Sequence, residues 1–139
     1  MGAWNEDNFC NDDALDWVIL LEESKGIDTL LSPIESIINN NEYLESTECC
    51  EALAAAEVIA ASLTGDISSL PEEAQSWLNK KHGLFGKKPK IEKEHAAMAL
   101  QSVKKILVDS ELKELWEETE SFPKWQEVQD KLITKLNNV

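Results

Sequence analysis

Residues 47–64 constrain the fold most, because they predict a helix that is apolar on nearly every side. Between positions 53 and 63, only Glu57 and Ser62 interrupt a run of Ala, Leu, Val and Ile. A helix without a polar face is normally covered by other elements on all sides. Gly65 then provides a suitable end, since glycine readily adopts the left-handed conformation that follows many helices. The sequence therefore predicts a central, Ala-rich helix.

Helical spacing and capping signals recur along the rest of the chain. Asn11 is placed to cap a helix that follows it. Ser32-Pro33 predicts the start of a short helix, as a capping box with proline at the first position, and residues 28–31 add at most one turn before it. Further helices are predicted at about residues 71–83, 91–108 and 111–119 and from Pro123 onward. We therefore expect an all-α fold, a single compact bundle of about six to seven helices that forms one domain over residues 1–139.

Charge is divided unevenly along the chain. Residues 1–79 carry seventeen acidic residues and one Lys, a net charge of −16, whereas residues 80–139 carry ten acidic residues and twelve Lys, a net charge of +2. Such a field constrains the partners of a protein rather than its fold, and it favours a basic protein as partner of the acidic half. Five lysines fall between positions 80 and 90. We expect this Lys-rich stretch to lie near the acidic half, with contact to anionic lipid or an acidic partner as the alternative.

Composition argues against several functional classes. All thirteen basic residues are Lys, and without the planar fork of Arg we expect no nucleic-acid partner. No stretch approaches the roughly 18 apolar residues of a membrane span, so we expect no membrane partner. The first seven residues lack the basic and apolar regions of a signal peptide. Together with three Cys, an odd number that suggests free thiols, these features predict a cytoplasmic protein.

Glu57 is the ionisable residue that most requires an explanation. It lies midway along the predicted central helix, with Leu53 and Ala60 near its face. A carboxylate in such a place must be hydrogen-bonded, paired or protonated. The structural hypothesis is that backbone N–H groups or an indole N–H donate to it, with the turn around Trp4 to Asn8 as the leading donor. The alternatives are a functional carboxylate in a pocket and a solvated position at the edge of the helix.

The other polar residues do not predict a catalytic, metal or cofactor site. Glu6, Asp7, Asp12, Asp13 and Asp16 could attract a hard cation, but they lack the glycine-bearing pattern of a calcium loop. Helix capping and solvation explain them better. The two histidines have no local partner, and no nucleophile elbow, phosphate loop or dinucleotide motif occurs. We therefore assign no catalytic residue, no metal and no cofactor.

The run AWNEDNFCNDDALDW at residues 3–17 is similar to the opening of a bacterial family, domain of unknown function 4259. The residues that carry this resemblance are Trp4, Phe9, Asn11, Asp12, Asp13 and Trp17. It continues along nearly the whole chain, at residues 54–58, Leu70-Pro71, Trp77, Trp116 and Trp125. Asn5 and Asn8 stand where the family usually has glycine, and because Asn tolerates positive φ we expect the turn to survive. The resemblance implies a small bacterial cytosolic domain and brings no established activity.

Two hypotheses from different functional classes follow. The first, which we favour, is a non-enzymatic interaction protein whose acidic surface engages a basic protein, as immunity and antitoxin proteins do. The second is a small hydrolase or ligand-binding domain with Glu57 in a pocket. The two hypotheses differ in whether Glu57 faces a cavity or a packed backbone.

Overall fold

Helices dominate the computed structural model, which describes residue 3, residues 5–80, residue 82 and residues 86–139. The seven α-helices found there are α1 (Asp12–Glu23), α2 (Asp28–Asn39), α3 (Ser46–Thr64), α4 (Glu72–Asn79), α5 (Lys93–Val108), α6 (Glu111–Glu117) and α7 (Phe122–Asn137). None of these helices is long and apolar enough to cross a bilayer. Within the same residues no strand forms, and two isolated bridges occur, between Ala3 and Asn11 and between His82 and Lys87. The predicted all-α bundle is confirmed.

α3 lies at the centre of the bundle. It packs against α1, α2, α5, α6 and α7, while α4 packs on α1. Eleven of its 19 residues are buried, among them Leu53, Val58 and Ile59. Each of these aliphatic side chains contributes roughly 1.5–3 kcal/mol by leaving water. The helix ends at Gly65, whose φ of 86° is the left-handed conformation that the sequence predicts.

The start of α2 differs from the prediction. The helix begins at Asp28, and the backbone N–H of Leu31 already donates to the carbonyl of Ile27 at 3.1 Å. Pro33 therefore lies inside the helix, and the predicted capping box at Ser32 is wrong.

Tertiary packing explains this earlier start. Leu30, Ile34 and Ile37 recur at helical spacing and are fully buried, so the first turn of α2 is held by the core. Their burial outweighs the single backbone hydrogen bond that Pro33 removes. At the other end of α2, Nζ of Lys105 donates to the carbonyl of Ile37 at 2.8 Å, which stabilises the last turn.

α4 ends earlier than predicted, at Asn79 rather than near Gly83, which lies outside the described residues. Lys80 already has an extended backbone. His82 then folds back so that its Nε2 lies 2.9 Å from the carbonyl oxygen of Trp77, and the two rings are 5.2 Å apart. This contact buries His82 and gives a reason for the chain to leave the helix.

The remaining helix boundaries agree with the sequence to within about two residues. α5 begins at Lys93, where the backbone N–H of Glu92 donates to Nδ1 of His95 at 2.9 Å and so caps the helix. α6 ends at Glu117, and α7 carries Pro123 in its first turn, as predicted.

The Lys-rich stretch is described in part. Lys80, Lys87, Lys88 and Lys90 are exposed, and Lys81 lies outside the described residues. Lys90 forms a 3.3 Å ion pair with its neighbour Glu92, which an exposed setting makes weak. The prediction that the whole Lys-rich stretch lies near the acidic half, residues 1–79, stays a prediction.

Candidate functional site

Short polar side chains build the N-terminal turn, residues 5–11. Oδ1 of Asn5 accepts the backbone N–H of Asp7 at 2.9 Å, and Oδ1 of Asp7 accepts the N–H of Phe9 at 3.0 Å. Oδ1 of Asn11 accepts a backbone N–H of α1 at 2.8 Å and caps that helix. Among the described residues only glycines have positive φ, so the turn forms without a left-handed conformation at Asn5 or Asn8. Side-chain hydrogen bonds shape this turn instead.

Asn8 ties the turn to α3 and α7. Its side chain is 3% exposed, and that of Gln129 is fully buried. Nδ2 of Asn8 donates to Oε1 of Gln129 at 3.0 Å, and Nε2 of Gln129 donates to Oδ1 of Asn8 at 2.8 Å. The same Nδ2 donates to Oε2 of Glu57 at 3.3 Å. Within the described residues, the turn thus donates to Glu57 through a side-chain amide, and no backbone N–H there donates to it. The indole of Trp4, which the sequence also suggested as a donor, lies outside the described residues.

Glu57 lines an open cleft rather than a packed backbone. This Glu57 cleft has a volume of about 350 Å³. Its other lining residues include Asp7, Phe9, Asp66, Leu70 and Lys135. Lys135, which also lines the cleft, makes no direct ion pair with Glu57 within 4.0 Å in the described structure.

The cleft changes the acidity of Glu57. Burial raises the pKa of Glu57 most strongly, because a desolvated carboxylate loses hydration. Lys135 opposes this rise in pKa, Asp7 adds to it, and the hydrogen bond from Asn8 opposes it. A carboxyl group of raised pKa that faces a cleft can bind a cationic group or exchange a proton with a ligand.

A second cleft, the motif cleft, shares Asp7 with the first and has a volume of about 280 Å³. The carboxylates that line it are Glu6, Asp7, Asp12 and Asp13, and its described lining contains no lysine. Trp116 and Trp125 add an apolar wall, with ring centroids 6.4 Å apart and planes inclined by 15°. Carboxylates beside apolar surface suit the charged head and aliphatic stem of a basic side chain.

The family model for a domain of unknown function, DUF4259, matches residues 2–128 of the chain. The chain belongs to this family. The match runs from the N-terminal segment into α7 and so includes the whole N-terminal turn, Glu57 and Trp125. No curated protein and no solved structure matches the chain.

The residues of the DUF4259 motif lie at different places in the fold. Asp12 and Asp13 form the first turn of α1 and line the motif cleft. Phe9 is half-buried and lines the Glu57 cleft. Trp17 is 4% exposed and belongs to the core. Trp4 lies outside the described residues. The described motif residues thus contribute to both clefts and to the core.

Asn8, Gln129 and Lys135 are site residues that sequence reasoning missed. One signal could have found Gln129, since it shares the inward face of α7 with Trp125 and Leu132, where a polar residue needs a partner.

The cysteines and acidic residues offer little metal chemistry. Among the described residues, no group of three or more His, Cys, Asp or Glu side chains is placed to hold a metal ion. All three cysteines are free. Burial raises the pKa of Cys49 and of Cys50 to about 12, and burial together with Asp7 and Glu6 raises the pKa of Cys10. These thiols therefore stay protonated at neutral pH and are poor nucleophiles.

Proposed function

We propose that this member of DUF4259 is a non-enzymatic interaction protein that binds a basic partner protein through its acidic surface. The observation that carries the proposal is the motif cleft, whose described lining holds four carboxylates and no lysine. Residues 1–79 carry a net charge of −16, within a total of −14 for the chain, and extend the same negative field around it. Such a field attracts a basic partner and raises its rate of encounter.

The chemistry of the motif cleft supports recognition of Lys or Arg. Asp12 is exposed and Asp13 is half-buried, so both carboxylates can meet a cation without the full cost of burying a charge. The aliphatic stem of the same side chain would contact the wall that contains Trp116 and Trp125. The surface therefore supplies both charge and apolar contact to one side chain.

The setting of the protein is part of this proposal. The three free cysteines fit a reducing compartment, which supports a bacterial cytoplasm as the site of action. Immunity and antitoxin proteins are acidic binders of basic proteins, and the analogy with them rests on size and charge alone.

Calorimetric titration with an oligolysine peptide tests the proposal. We expect binding at low salt that weakens steeply as salt rises, because exposed charges are screened beyond about 8 Å at physiological ionic strength. The double variant Asp12→Asn, Asp13→Asn should bind more weakly than Glu72→Gln, Glu73→Gln. Both pairs remove two charges from the first turn of a helix, but the second pair lies outside the motif cleft. Absence of binding at low salt, or equal weakening by both pairs, would overturn the proposal.

A second candidate function, a ligand-binding domain or small hydrolase, is favoured by one observation: Glu57 faces a cleft and not a packed backbone. A ligand amine could pair with Glu57, while a hydrolase would use the carboxyl group as general acid or base.

A thermal-shift panel of primary amines and amino acids tests this candidate. A ligand of the Glu57 cleft raises the melting temperature of the wild type and of Glu51→Gln, but not that of Glu57→Gln. Glu51 is a matched control, because it is another half-buried carboxylate of α3 whose pKa is raised by burial and which lies outside the Glu57 cleft. A shift that survives Glu57→Gln would contradict it.

A further inference from the structure

The outer face of α1 combines acidic and aliphatic side chains. Asp12, Asp16, Ile19, Leu20 and Glu23 all lie on this face and are exposed. Ile19 is 51% exposed and Leu20 is 58% exposed, two of the four large hydrophobic residues that remain this accessible in the described structure. Side chains three and four residues apart are neighbours on a helix, so Asp16 and Glu23 flank both aliphatic residues. The face is therefore an apolar pair within an acidic border.

A groove between α1 and α2 runs beside this face. It has a volume of about 270 Å³, and Trp17, Leu20, Pro33 and Glu51 contribute to its lining. Trp17 and Pro33 are buried and provide apolar surface, whereas Leu20 stands on its exposed side. A groove of this kind between two helices can accept an apolar side chain of a partner.

The groove lies close to the motif cleft. Asp13 lines the motif cleft and is near enough to Glu51, in the groove lining, to add to the pKa rise that burial causes there. Asp12 and Leu20 are eight residues apart on α1, which corresponds to about 12 Å along the helix. One short segment of a partner can therefore contact both places at once.

Charge decides which occupant fits. A second copy of this chain would place the same acidic face against itself, and anionic lipid would be repelled in the same way. A partner segment with Lys or Arg on its flanks would instead meet Asp16 and Glu23 while its apolar side chains enter the groove. Helices that bind grooves present their apolar anchors at positions i, i+3, i+4 and i+7.

We propose that the outer face of α1 and the α1–α2 groove bind an amphipathic basic helix of the partner protein, with apolar anchors against Leu20 and the groove and basic residues against Asp16 and Glu23. This inference rests on the proposed interaction function and specifies the chemistry of the partner. Apolar contact beside charge also makes the surface specific for such a helix over oligolysine, because a purely basic segment leaves Ile19 and Leu20 in water.

The test compares two Leu/Lys peptides of equal composition and about 14 residues, a length at which helices begin to form alone. In one peptide the leucines follow the helical spacing above, and in the other they are scrambled. Fluorescence anisotropy should give the amphipathic peptide an affinity at least about tenfold higher, equivalent to about 1.4 kcal/mol. The double variant Ile19→Gln, Leu20→Gln should remove this preference. Val108→Gln should retain it, because Val108 is 75% exposed on α5 and lies away from the groove.

The outcomes separate the two proposals. If neither peptide binds even at low salt, the proposed interaction function fails. If both bind with equal affinity, the interaction function survives and the helix-binding groove is wrong. A preference for the amphipathic peptide that Ile19→Gln, Leu20→Gln leaves unchanged also overturns the assignment. Because both substituted side chains are exposed and Gln is a good helix former, the variants should keep their helical circular dichroism.

Discussion

The side-chain amides of Asn8 and Gln129, 121 residues apart in sequence, exchange two hydrogen bonds inside the protein. The pair joins the turn before α1 to the middle of α7, and Asn8 extends it to Glu57 on α3. Two buried amides that satisfy each other avoid the cost of unpaired polar groups, so the pair can hold the N-terminal turn in place. The turn is thus part of the core and positions the carboxylates of both clefts.

Asn8→Ala should lower the free energy of unfolding by about 1–3 kcal/mol, because it leaves the buried amide of Gln129 without its partner. The same substitution should cost clearly less in a Gln129→Leu background, where both polar groups are gone. Urea denaturation of the four proteins gives this coupling as a double-mutant cycle. Equal costs in the two backgrounds would mean that the amide pair does not contribute as a unit.

Deletion of residues 1–9 should lower the melting temperature by several degrees. The truncation removes Asn8 from the buried pair and takes Phe9 away from the core against which it packs. Differential scanning calorimetry measures the effect. The truncated chain with Gln129→Leu serves as the control and should recover part of the loss, since it no longer buries an unpaired amide. An unchanged melting temperature after truncation would contradict this role of the N-terminal turn.

The sequence predicts α3 well, because burial on all sides leaves an apolar run that ends at Gly65. It predicts the start of α2 poorly, because Ser32 and Pro33 form a strong local signal for a helix start. The burial of Leu30, which holds the first turn of α2 in the core, is a tertiary contact that no local pattern records.

In the candidate site, too, the sequence predicts what local patterns record and misses what tertiary contacts determine. Glu57 could be predicted as a site residue from the sequence, because one acidic residue is conspicuous in an apolar helix. Its hydrogen-bond donor could not be predicted, because Asn8 lies 49 residues away and a side-chain amide has no sequence periodicity of its own. The motif acids Asp12 and Asp13 could be placed at a helix start, but their convergence on a cleft depends on how α3, α6 and α7 pack around the N-terminal turn.

The cysteines should differ in their reaction with a thiol reagent. Cys49 and Cys50 are buried and have pKa values raised to about 12, so their thiolates are scarce at pH 8. Cys10 is half-buried and should react first, although its raised pKa slows it relative to a free thiol. Absorbance of released thionitrobenzoate should show one equivalent in the folded protein and three in denaturant. A rapid release of three equivalents without denaturant would contradict the burial of Cys49 and Cys50.

Glu57→Gln should keep or raise the denaturation midpoint at pH 7. The charged carboxylate is desolvated and, among the described residues, receives one hydrogen bond, from Asn8 at 3.3 Å, which the carbonyl oxygen of Gln can also accept. The structural hypothesis for Glu57 predicts the opposite, a loss of about 1–3 kcal/mol as a charge-assisted bond becomes neutral. Chemical denaturation of the wild type and of Glu57→Gln distinguishes these two expectations. A carboxylate that costs stability is typical of functional positions, so a raised midpoint would favour a ligand role for the Glu57 cleft.

The raised pKa of Glu57 should also be visible in the pH dependence of stability. Burial raises the pKa of Glu57 above the 4.5 of an exposed Glu, so above pH 4.5 the folded protein retains a proton that the unfolded chain has lost. Linkage then requires the contribution of Glu57 to stability to fall as pH rises through the folded pKa, and to be constant below 4.5. The free energy of unfolding of the wild type, minus that of Glu57→Gln, should therefore decrease as pH rises above 4.5.

Asp66 provides the opposite case within the same cleft. Hydrogen bonds from Ser68 lower the pKa of Asp66 below 3.8. The contribution of Asp66 to the stability of the fold is therefore present above pH 3.8 and is lost as pH falls through the folded pKa. The free energy of unfolding of the wild type minus that of Asp66→Asn should consequently rise with pH in the acid range and then stay level. The corresponding difference between the wild type and Glu57→Gln should decline instead. Because both variants remove one negative charge, their opposite slopes cannot come from the net charge of the chain. A Glu57 difference that rises with pH would show that its carboxylate is stabilised in the folded protein, and would return Glu57 to a structural role. A flat difference would show that folding leaves the pKa of Glu57 unchanged, which contradicts the prediction.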